Sequence, residues 1–267
     1  MSPKAPASLE GLSALITGST QGLGYAMAER LAGLGCNIVM NGLGDAGEIE
    51  RRREALEKAH GVRAIHHGAD LADPSQIEAL VRTAESQFPS VDILINNAVV
   101  RHFAPLEKFA PADWDRALAV NLSAAFHCAR LLLPGMRRRD FGRIVNISSI
   151  FGLRAVVDRV DYVTTKTALL GFTRAVALEV AAQNITCNAI CPGSSPTPAI
   201  ERRFAEFMAK EGLSREQAER AFMSSRQPSG RFVGMDGVAG LAAFLCGRDA
   251  RDINGAAISI DGAWSVS

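Results

Sequence analysis

Charge of one sign, paired cysteines and long hydrophobic runs are all scarce in this sequence of 267 residues. It has 29 Lys+Arg against 28 Asp+Glu, and a basic run such as 137–139 is too short to form a patch. With so few cations to neutralise phosphates, we expect no nucleic-acid partner. No apolar run approaches the ~18 residues of a membrane span, and no signal pattern opens the sequence. We therefore expect a cytoplasmic protein with no membrane partner.

The five cysteines show no spacing typical of disulfides or of a zinc site. Each lies in an apolar stretch, and Cys187 and Cys191 share one β-rich run, so we predict reduced core residues and no metal site. Internal repeats and low-complexity linkers are also lacking. This predicts one domain over residues 12–267, preceded by a flexible leader at residues 1–11.

Short β-rich runs alternate with amphipathic stretches along most of the sequence. Six long stretches predict helices near residues 23–34, 46–59, 74–87, 112–138, 161–182 and 236–247. Seven short runs predict strands near residues 13–17, 37–40, 63–66, 92–96, 143–148, 185–190 and 257–260. Such alternation is typical of repeated βαβ units, so we predict an α/β fold whose seven-stranded parallel sheet has helices on both faces.

Residues 194–231 depart from this alternation. They contain two amphipathic runs separated by Gly212, and they follow the sixth predicted strand. In an open α/β sheet, the loops at the carboxyl ends of the strands surround the ligand crevice. We therefore predict a small two-helix lid that closes over a substrate. An oligomer contact or plain surface packing is the alternative.

A glycine-rich turn follows the first predicted strand and precedes a helix. It reads Thr17-Gly18-Ser19-Thr20-Gln21-Gly22-Leu23-Gly24. Glycine at such positions allows a tight turn and a close approach of the backbone to a pyrophosphate, and the helix N-terminus offers N–H groups to the anion. The turn therefore predicts a dinucleotide site. A purely steric need for glycine between a strand and a helix is the alternative.

The ends of the second and third predicted strands bear on which dinucleotide binds. Asn41 ends the second strand, and no lysine or arginine occurs between Arg30 and Arg51. A 2′-phosphate would therefore lack a local cation, which favours NAD over NADP. Asp70, at the end of the third strand, can accept a hydrogen bond from the adenine amino group; a loop or cap aspartate is the alternative.

Tyr162 and Lys166 lie four residues apart where a helical pattern begins, so both project from one helix face. A free phenol titrates near a pKa of ~10, and a cation ~4 Å away lowers such a value by about three units at an effective dielectric constant of ~20. This brings a tyrosine into the range of acid–base catalysis. Ser149, after the fifth strand, can donate to a developing alkoxide or carbonyl oxygen. A surface Tyr–Lys pair is the alternative.

Taken together, these residues resemble the short-chain dehydrogenase/reductase family. The motifs follow the family's order and spacing over about residues 10–262: Thr-Gly-x-x-x-Gly-x-Gly at 17–24, Asn96-Asn97-Ala98, Asn121, Ser149, Tyr162-x-x-x-Lys166 and Pro192-Gly193. The resemblance implies a Rossmann-type, doubly wound sheet and a homotetramer. It also implies hydride transfer between a nicotinamide and a carbinol or carbonyl carbon.

The resemblance further implies catalytic and cofactor residues. Tyr162 would act as the acid and base, Ser149 would orient the substrate oxygen, and Lys166 would assist the phenol and hold the ribose hydroxyls. Asn121 would keep a water in the proton relay. The expected NAD site comprises Thr17, Gly18, Thr20, Gln21, Gly22, Leu23, Gly24, Asn41, Asp70, Leu71, Asn97, Ala98, Val99, Tyr162, Lys166, Pro192, Gly193 and Thr197. Val99 stands where the family has glycine, which would narrow the nicotinamide site.

Within this family, the sequence is similar to bacterial 3-hydroxybutyrate dehydrogenases, mainly at scaffold and cofactor positions. The positions expected to face a substrate are Arg101, His102, Phe151, Arg159, Ser194, Arg203 and Trp264. Five of them depart from that subfamily, and three of the departures are to arginine, whose fork suits carboxylate, sulfonate or phosphate. We therefore expect a small anionic hydroxy or keto substrate, 3-hydroxybutyrate or a larger relative; solvated surface arginines are the alternative.

Two other functions stay open at this point. One is an NADPH-linked 3-oxoacyl thioester reductase, in which the arginines would meet phosphates of the carrier; the lack of a basic residue after the second strand argues against it. The other is a nucleotide-binding regulatory protein without turnover. Ser149, Tyr162 and Lys166 argue against that alternative, whereas Val99 favours it.

Overall fold

The computed structural model describes residues 8–224 and 226–267 and contains the predicted sheet. Its seven parallel strands are β1 (Ser13–Ile16), β2 (Asn37–Asn41), β3 (Ala64–His67), β4 (Ile93–Asn96), β5 (Gly142–Ile147), β6 (Ile185–Pro192) and β7 (Ala257–Ile260). They lie in the order β3-β2-β1-β4-β5-β6-β7. The prediction of a doubly wound α/β fold is confirmed, because the chain winds outwards in one direction from β1 and in the other from β4.

Helices cover both faces of the sheet. They are α1 (Gly22–Ala32), α2 (Ala46–His60), α3 (Pro74–Gln87), α4 (Pro111–Leu118), α5 (Ala124–Arg139), α6 (Val160–Val180), α7 (Pro198–Glu211), α8 (Arg215–Met223) and α9 (Met235–Cys246). Consecutive strand residues point to opposite faces. In β1, Ile16 packs with the α1 and α9 side of the core, and Leu15 packs with the α3, α5 and α6 side.

The predicted helix at 112–138 is interrupted in the structure. A π-helical turn, Ala119–Ser123, separates α4 from α5, and it contains Asn121. Such turns insert an extra residue into a helix and often occur at functional sites. The whole segment Pro111–Arg139 is long and apolar enough to cross a membrane by length and composition alone. It packs instead as a crossover of the sheet, with Leu132 and Met136 buried in the core.

The predicted lid forms two helices, α7 and α8, as expected from the break at Gly212. Gly212 ends α7 in the left-handed region, with a φ of 63° that glycine adopts without strain. A cluster of four phenylalanines holds the pair against the following loop: Phe204, Phe207, Phe222 and Phe232. The insertion closes where Val233 N–H donates to Ser194 O at 2.8 Å. Both of its ends therefore meet at the carboxyl end of β6.

The leader predicted at residues 1–11 lies partly outside the described residues. Its last part packs on the domain, since Leu9 is buried and donates its backbone N–H to Leu34 O at 2.9 Å. The five cysteines are free and buried, as predicted. Burial raises the pKa of the Cys128 thiol to about 12, so this thiol stays protonated and unreactive at neutral pH.

Gly24 provides a test of the close contact between α1 and the glycine-rich turn. A Cβ at Gly24 would overlap the Gly18 carbonyl oxygen and the Asn97 side chain, whereas one at Gly240, in α9, would have no atom within 4 Å. We expect Gly24→Ala to lower the free energy of unfolding by about 1–3 kcal/mol. Gly240→Ala should raise it by about 0.5–1 kcal/mol, since alanine favours a helix interior. Urea denaturation measures both, and an unchanged stability in Gly24→Ala would contradict the contact.

Candidate functional site

A cleft of about 730 Å³ lies at the carboxyl ends of the strands. In sheets of this topology the ligand crevice lies where the strand order reverses, here between β1 and β4. The turn before α1 and the ends of β2 and β3 line one end of the cleft, and the ends of β5, β6 and β7 line the other. The predicted site residues in its wall are Gly18, Thr20, Gln21, Gly22, Leu23, Gly24, Asn41, Asp70, Leu71, Asn97, Ala98, Val99, Arg101, Ser149, Phe151, Arg159, Tyr162, Lys166, Pro192, Gly193, Ser194, Thr197 and Trp264.

Two predicted substrate residues lie outside this wall. The His102 ring instead contacts the buried Asp161, with 2.9 Å between Nδ1 and Oδ2, because a carboxylate without solvent needs a partner. Arg203 also lies outside, while its neighbour Arg202 lines the cleft. Adjacent residues of a helix point about 100° apart, so the orientation of α7 decides which of the two faces the cleft.

Thr17 and Asn121 also lie behind the wall and shape it. The Thr17 hydroxyl accepts from the backbone N–H groups of Asn97 and Ala98, at 2.9 and 3.1 Å. The Asn121 amide accepts from Val100 N–H at 2.8 Å and donates to Val100 O at 3.0 Å. The two side chains thus hold the loop after β4 in place. The expected role of Asn121 in a proton relay stays a prediction.

The glycine-rich turn forms a cradle with free N–H groups. Gly18 and Gly22 have φ values of 63° and 58°, which glycine alone adopts easily. The Asn97 amide donates to the carbonyl oxygens of Thr17 and Gly18, each at 2.9 Å, and so fixes the turn against β4. Gln21, which precedes α1, makes no capping hydrogen bond with its side chain. The helix N-terminus can therefore bind an anion with its own backbone.

The end of the cleft at β2 and β3 is polar but lacks a free cation among its described lining residues. Asn41 is buried and donates to the carbonyl oxygens of His67 and Ala69, each at 3.1 Å, whereas its Oδ1 has no partner. Asp70 forms an ion pair with Arg116 at 2.9 Å, which lowers the pKa of this carboxyl group. Arg116 is thereby neutralised. This end offers acceptors and a paired charge, the groups that suit an adenosine with free ribose hydroxyls.

The two serines after β5 have different partners. Ser148 donates its hydroxyl to Lys166 O at 2.7 Å, which ties β5 to α6. Ser149 accepts from Phe151 N–H at 3.1 Å. A serine hydroxyl that accepts one hydrogen bond keeps its own hydrogen for donation. Ser149 therefore has a hydroxyl hydrogen available in the cleft wall, and its role toward a substrate oxygen stays a prediction.

Lys166 is a buried amine rather than an exposed ammonium. Its Nζ donates to Ile147 O at 2.7 Å, and only 2% of the residue is exposed. Burial lowers the pKa of Lys166 to about 7, with a smaller contribution from the charge of Arg101. The amine is thus close to half-protonated at neutral pH. The simple expectation of a permanent cation beside the phenol holds only on the acidic side of this value.

Two arginines accompany the lysine around the tyrosine ring. The guanidinium carbons of Arg101 and Arg159 lie 5.2 and 4.5 Å from the centroid of the Tyr162 ring, and Lys166 Nζ lies 5.8 Å from it. Phe151 packs edge-on against the same ring at 6.4 Å. Guanidinium groups remain charged at any physiological pH. The two arginines that the sequence analysis expected near a substrate thus lie beside the tyrosine ring together with Lys166.

Sequence reasoning missed several residues that line or shape the cleft. Gln227, fully buried, accepts from Ser194 N–H and donates to Arg231 O, and so sets the start and end of the lid relative to each other. Arg116 and Arg202 line the cleft without belonging to any motif.

The lowered pKa of Lys166 predicts a pH-dependent stability. Between about pH 7 and 10 the unfolded chain binds a proton on this amine that the folded chain does not, so the free energy of unfolding rises by up to about 1.4 kcal/mol per pH unit. Lys166→Met removes this term. We expect the free energy of unfolding of the wild type minus that of Lys166→Met to rise from pH 7 to 9 and to be constant below about pH 6, as measured by urea denaturation.

Lys210→Met is the matched control, because the Lys210 side chain is 82% exposed and on a lid helix. It should show no such pH dependence relative to the wild type. If the difference in the free energy of unfolding between the wild type and Lys166→Met stays constant from pH 6 to 9, the lowered pKa of Lys166 is contradicted.

Comparison with known proteins agrees with this geometry. The short chain dehydrogenase family matches residues 13–206. A D-beta-hydroxybutyrate dehydrogenase of Cupriavidus necator is 44% identical over 256 residues, 96% of this chain and 98% of that protein. Another, of Rhizobium meliloti, is 40% identical over 254 residues, with 95% and 98% covered.

A solved structure with the same architecture is L-sorbose reductase from Gluconobacter frateurii, complexed with NADPH and L-sorbose. It superimposes with a TM-score of 0.91 at 30% identity and covers 98% of this chain and 99% of its own. The family match covers most of the sheet, and the relatives cover nearly the whole chain. The chain therefore belongs to the short chain dehydrogenase family and is an NAD(P)-dependent oxidoreductase that acts on a CH–OH group.

Proposed function

We propose that the protein interconverts a small anionic hydroxy acid and its ketone with NAD, and that Tyr162 is the acid and base. The observation that carries the proposal is the position of Tyr162 in the cleft wall, between Ser149, Lys166 and the arginines Arg101 and Arg159. The ring thus stands beside both a hydroxyl donor and the cations that would bind a carboxylate. The 3-hydroxybutyrate dehydrogenases among the relatives support the substrate class.

The cleft suits a nicotinamide dinucleotide. A Cβ at Gly18 would lie 2.8 Å from Ala98 Cα, so the turn and the loop after β4 can approach this closely only with glycine. The N-terminus of α1 would hold the pyrophosphate, Asn41 and Asp70 would contact the adenosine, and Lys166 would contact the nicotinamide ribose. Thr197 has a buried hydroxyl oxygen without a partner, a further group for the cofactor.

NAD is favoured over NADP by the groups near Thr20 and Asn41. The nearest arginine contact is Arg52, which donates to Thr20 O at 2.6 Å and to Glu48 at 2.8 Å. Its charge is thus already partly compensated. A 2′-phosphate would have to displace Glu48 to gain this cation, whereas ribose hydroxyls can donate to acceptors such as the Asn41 amide oxygen.

In the proposed reaction each residue has a separate task. A bound nicotinamide supplies the acceptor for the hydride of the substrate carbon. Tyr162 accepts the hydroxyl proton in oxidation and returns it in reduction, while Ser149 donates a hydrogen bond to the substrate oxygen. Arg101 and Arg159 orient the substrate carboxylate. Lys166, held by Ile147 O, would hold the hydroxyls of the nicotinamide ribose.

We also propose a homotetramer in the cytoplasm. Large apolar side chains are exposed on three different helices, namely Phe126 on α5, Leu178 on α6 and Phe244 on α9, with exposed fractions of 48%, 81% and 47%. β7 is the last strand of the sheet, and two of its four residues are exposed. Several separate patches suit an assembly with more than one kind of interface. Light scattering of the purified chain measures the number of copies.

The cofactor preference is tested by fluorescence titration. We expect NADH to bind at least about tenfold more tightly than NADPH, because the 2′-phosphate meets the Arg52–Glu48 pair instead of a free cation. Glu48→Gln frees Arg52 and should narrow this ratio by strengthening NADPH binding. Tighter binding of NADPH to the wild type, together with reduction of an acetoacetyl thioester, would instead support the 3-oxoacyl reductase alternative.

Tyr162→Phe tests the proposed mechanism with a built-in control. The chain has only two tyrosines, and Tyr25, whose hydroxyl donates to Arg52 O, lies outside the cleft. We expect Tyr162→Phe to lower kcat for 3-hydroxybutyrate oxidation by at least 10²-fold, since the acid–base group is lost. Tyr25→Phe should retain most of the activity. Turnover that survives Tyr162→Phe would exclude this tyrosine as the acid and base.

A further inference from the structure

The cleft has a marked excess of positive charge. Four arginines line it, namely Arg101, Arg116, Arg159 and Arg202, together with the buried amine of Lys166, and the one carboxylate among the described lining residues is Asp70. Asp70 is paired with Arg116 at the adenosine end. The excess therefore lies at the other end, beside Tyr162.

Three guanidinium groups of this excess come from three separate elements. Arg101 lies in the loop after β4, Arg159 immediately precedes α6, and Arg202 lies on the lid helix α7. In the described part of the chain, none of the three forms an ion pair with a carboxylate. The fold thus brings three guanidinium groups without a carboxylate partner into the wall of one cleft, two of them beside the Tyr162 ring.

Three acids near these arginines already have partners. Asp161 contacts His102, and Glu201 pairs with Arg215 at 2.7 Å. Asp261 accepts from the backbone N–H groups of Ala263 and Ser265 at 3.1 and 2.8 Å. Asp158, which precedes Arg159, is exposed and makes no ion pair in the described part of the chain. A ligand is therefore the source of negative charge that would pair with all three arginines inside the cleft.

Arg159 lies in surroundings that are unfavourable for a charged group. Its guanidinium carbon lies between aromatic rings, 4.4 Å from the Phe103 centroid and 4.5 Å from that of Tyr162. Its Nε is buried and has no hydrogen-bond partner. Desolvation lowers the pKa of Arg159, Tyr162 and Asp161 act in the opposite direction, and the charges of Arg101 and Arg203 act with the desolvation. A half-buried guanidinium with an unpartnered Nε gains from an incoming anion.

One carboxylate is not enough for this site. A single carboxylate carries one negative charge, and its two oxygens can accept one bidentate arginine fork well. A bound NAD would bring the two negative charges of its pyrophosphate to the N-terminus of α1 and, when oxidised, one positive charge on the nicotinamide beside Tyr162. A monoanionic hydroxy acid would thus leave at least two arginines without a counter-charge.

From this imbalance we infer that the substrate is a hydroxy acid carrying a second oxyanion, which Arg202 of the lid binds together with Arg101 and Arg159. The second group is a carboxylate, a sulfonate or a phosphate, since all three match a guanidinium fork. The contact between the second oxyanion and Arg202 on α7 would also stabilise the lid in a closed position over the substrate. This inference rests on the proposed function, because it names the substrate class of the same site.

Binding of unreactive acids tests the inference apart from turnover. Glutarate and its monoamide, 4-carbamoylbutyrate, have the same length and lack a hydroxyl, but only glutarate is a dianion at pH 7.5. We expect glutarate to bind the complex with NADH at least about tenfold more tightly than the monoamide, by calorimetry. The acids 4-sulfobutyrate and 3-phosphonopropionate are titrated in the same way. Whichever of these two acids and glutarate has the lowest dissociation constant identifies the preferred second oxyanion.

Arg202→Gln and Lys210→Gln form the matched pair of variants. Both remove one positive charge from an exposed position of α7, but Lys210 does not line the cleft. Arg202→Gln should bring the ratio of the two dissociation constants close to one, and Lys210→Gln should leave it unchanged. Equal binding of dianion and monoamide by the wild type, or a preference that survives Arg202→Gln, overturns the inference.

A turnover arm separates this inference from the proposed function. The kcat/KM for 3-hydroxyglutarate should exceed that for its monoamide by at least about tenfold in the wild type. If both compounds and 3-hydroxybutyrate are oxidised equally well, the hydroxy-acid function stands and the second oxyanion is refuted. If none is oxidised while glutarate still binds preferentially, the proposed function fails and the dianion site stands.

Discussion

The constraint on which this protein depends is that seven parallel strands end at one edge. Many groups of the cleft wall lie at strand ends: the glycine-rich turn after β1, Asn41 in β2, the Arg101 loop after β4, Ser149 after β5 and Ser194 after β6. Tyr162 and Lys166 join them from the crossover helix α6. Parallel strands place their carboxyl ends side by side, so groups far apart in sequence meet in one cleft. The rest of the chain, including the buried crossover helices, serves to keep that edge in register.

A second feature of the molecule is that basic side chains lie fully or partly out of solvent. Lys166 lies without solvent on Ile147 O, and Arg159 lies between aromatic rings with an unpartnered nitrogen. Neither arrangement is stable by itself, because desolvation disfavours a charge. Hydrogen-bond acceptors or negative groups of a ligand in the cleft would offset this cost.

Sequence patterns predicted the elements of the fold well, and they failed where orientation mattered. All seven strands were predicted, but the helix expected at 112–138 contains a π-helical turn, which apolar periodicity does not reveal. The lid helices were expected, yet Arg202 rather than Arg203 faces the cleft, since the roll of a lid helix depends on how its phenylalanines pack. His102 was expected near the substrate. Its partner in the structure, Asp161, lies 59 residues further along the chain, so no local sequence pattern predicts the contact.

By itself the sequence determined what short-range physics controls. Strand and helix periods, the glycine-rich turn and the four-residue spacing of Tyr162 and Lys166 all depend on neighbours within a few residues. Tertiary structure alone decided which charges meet. It placed Arg101, Arg159 and Arg202 in the wall of one cleft, paired Asp70 with Arg116, and lowered the pKa of Lys166 by burial. These outcomes depend on the strand order and on exclusion of water, which arise only when the whole chain has folded.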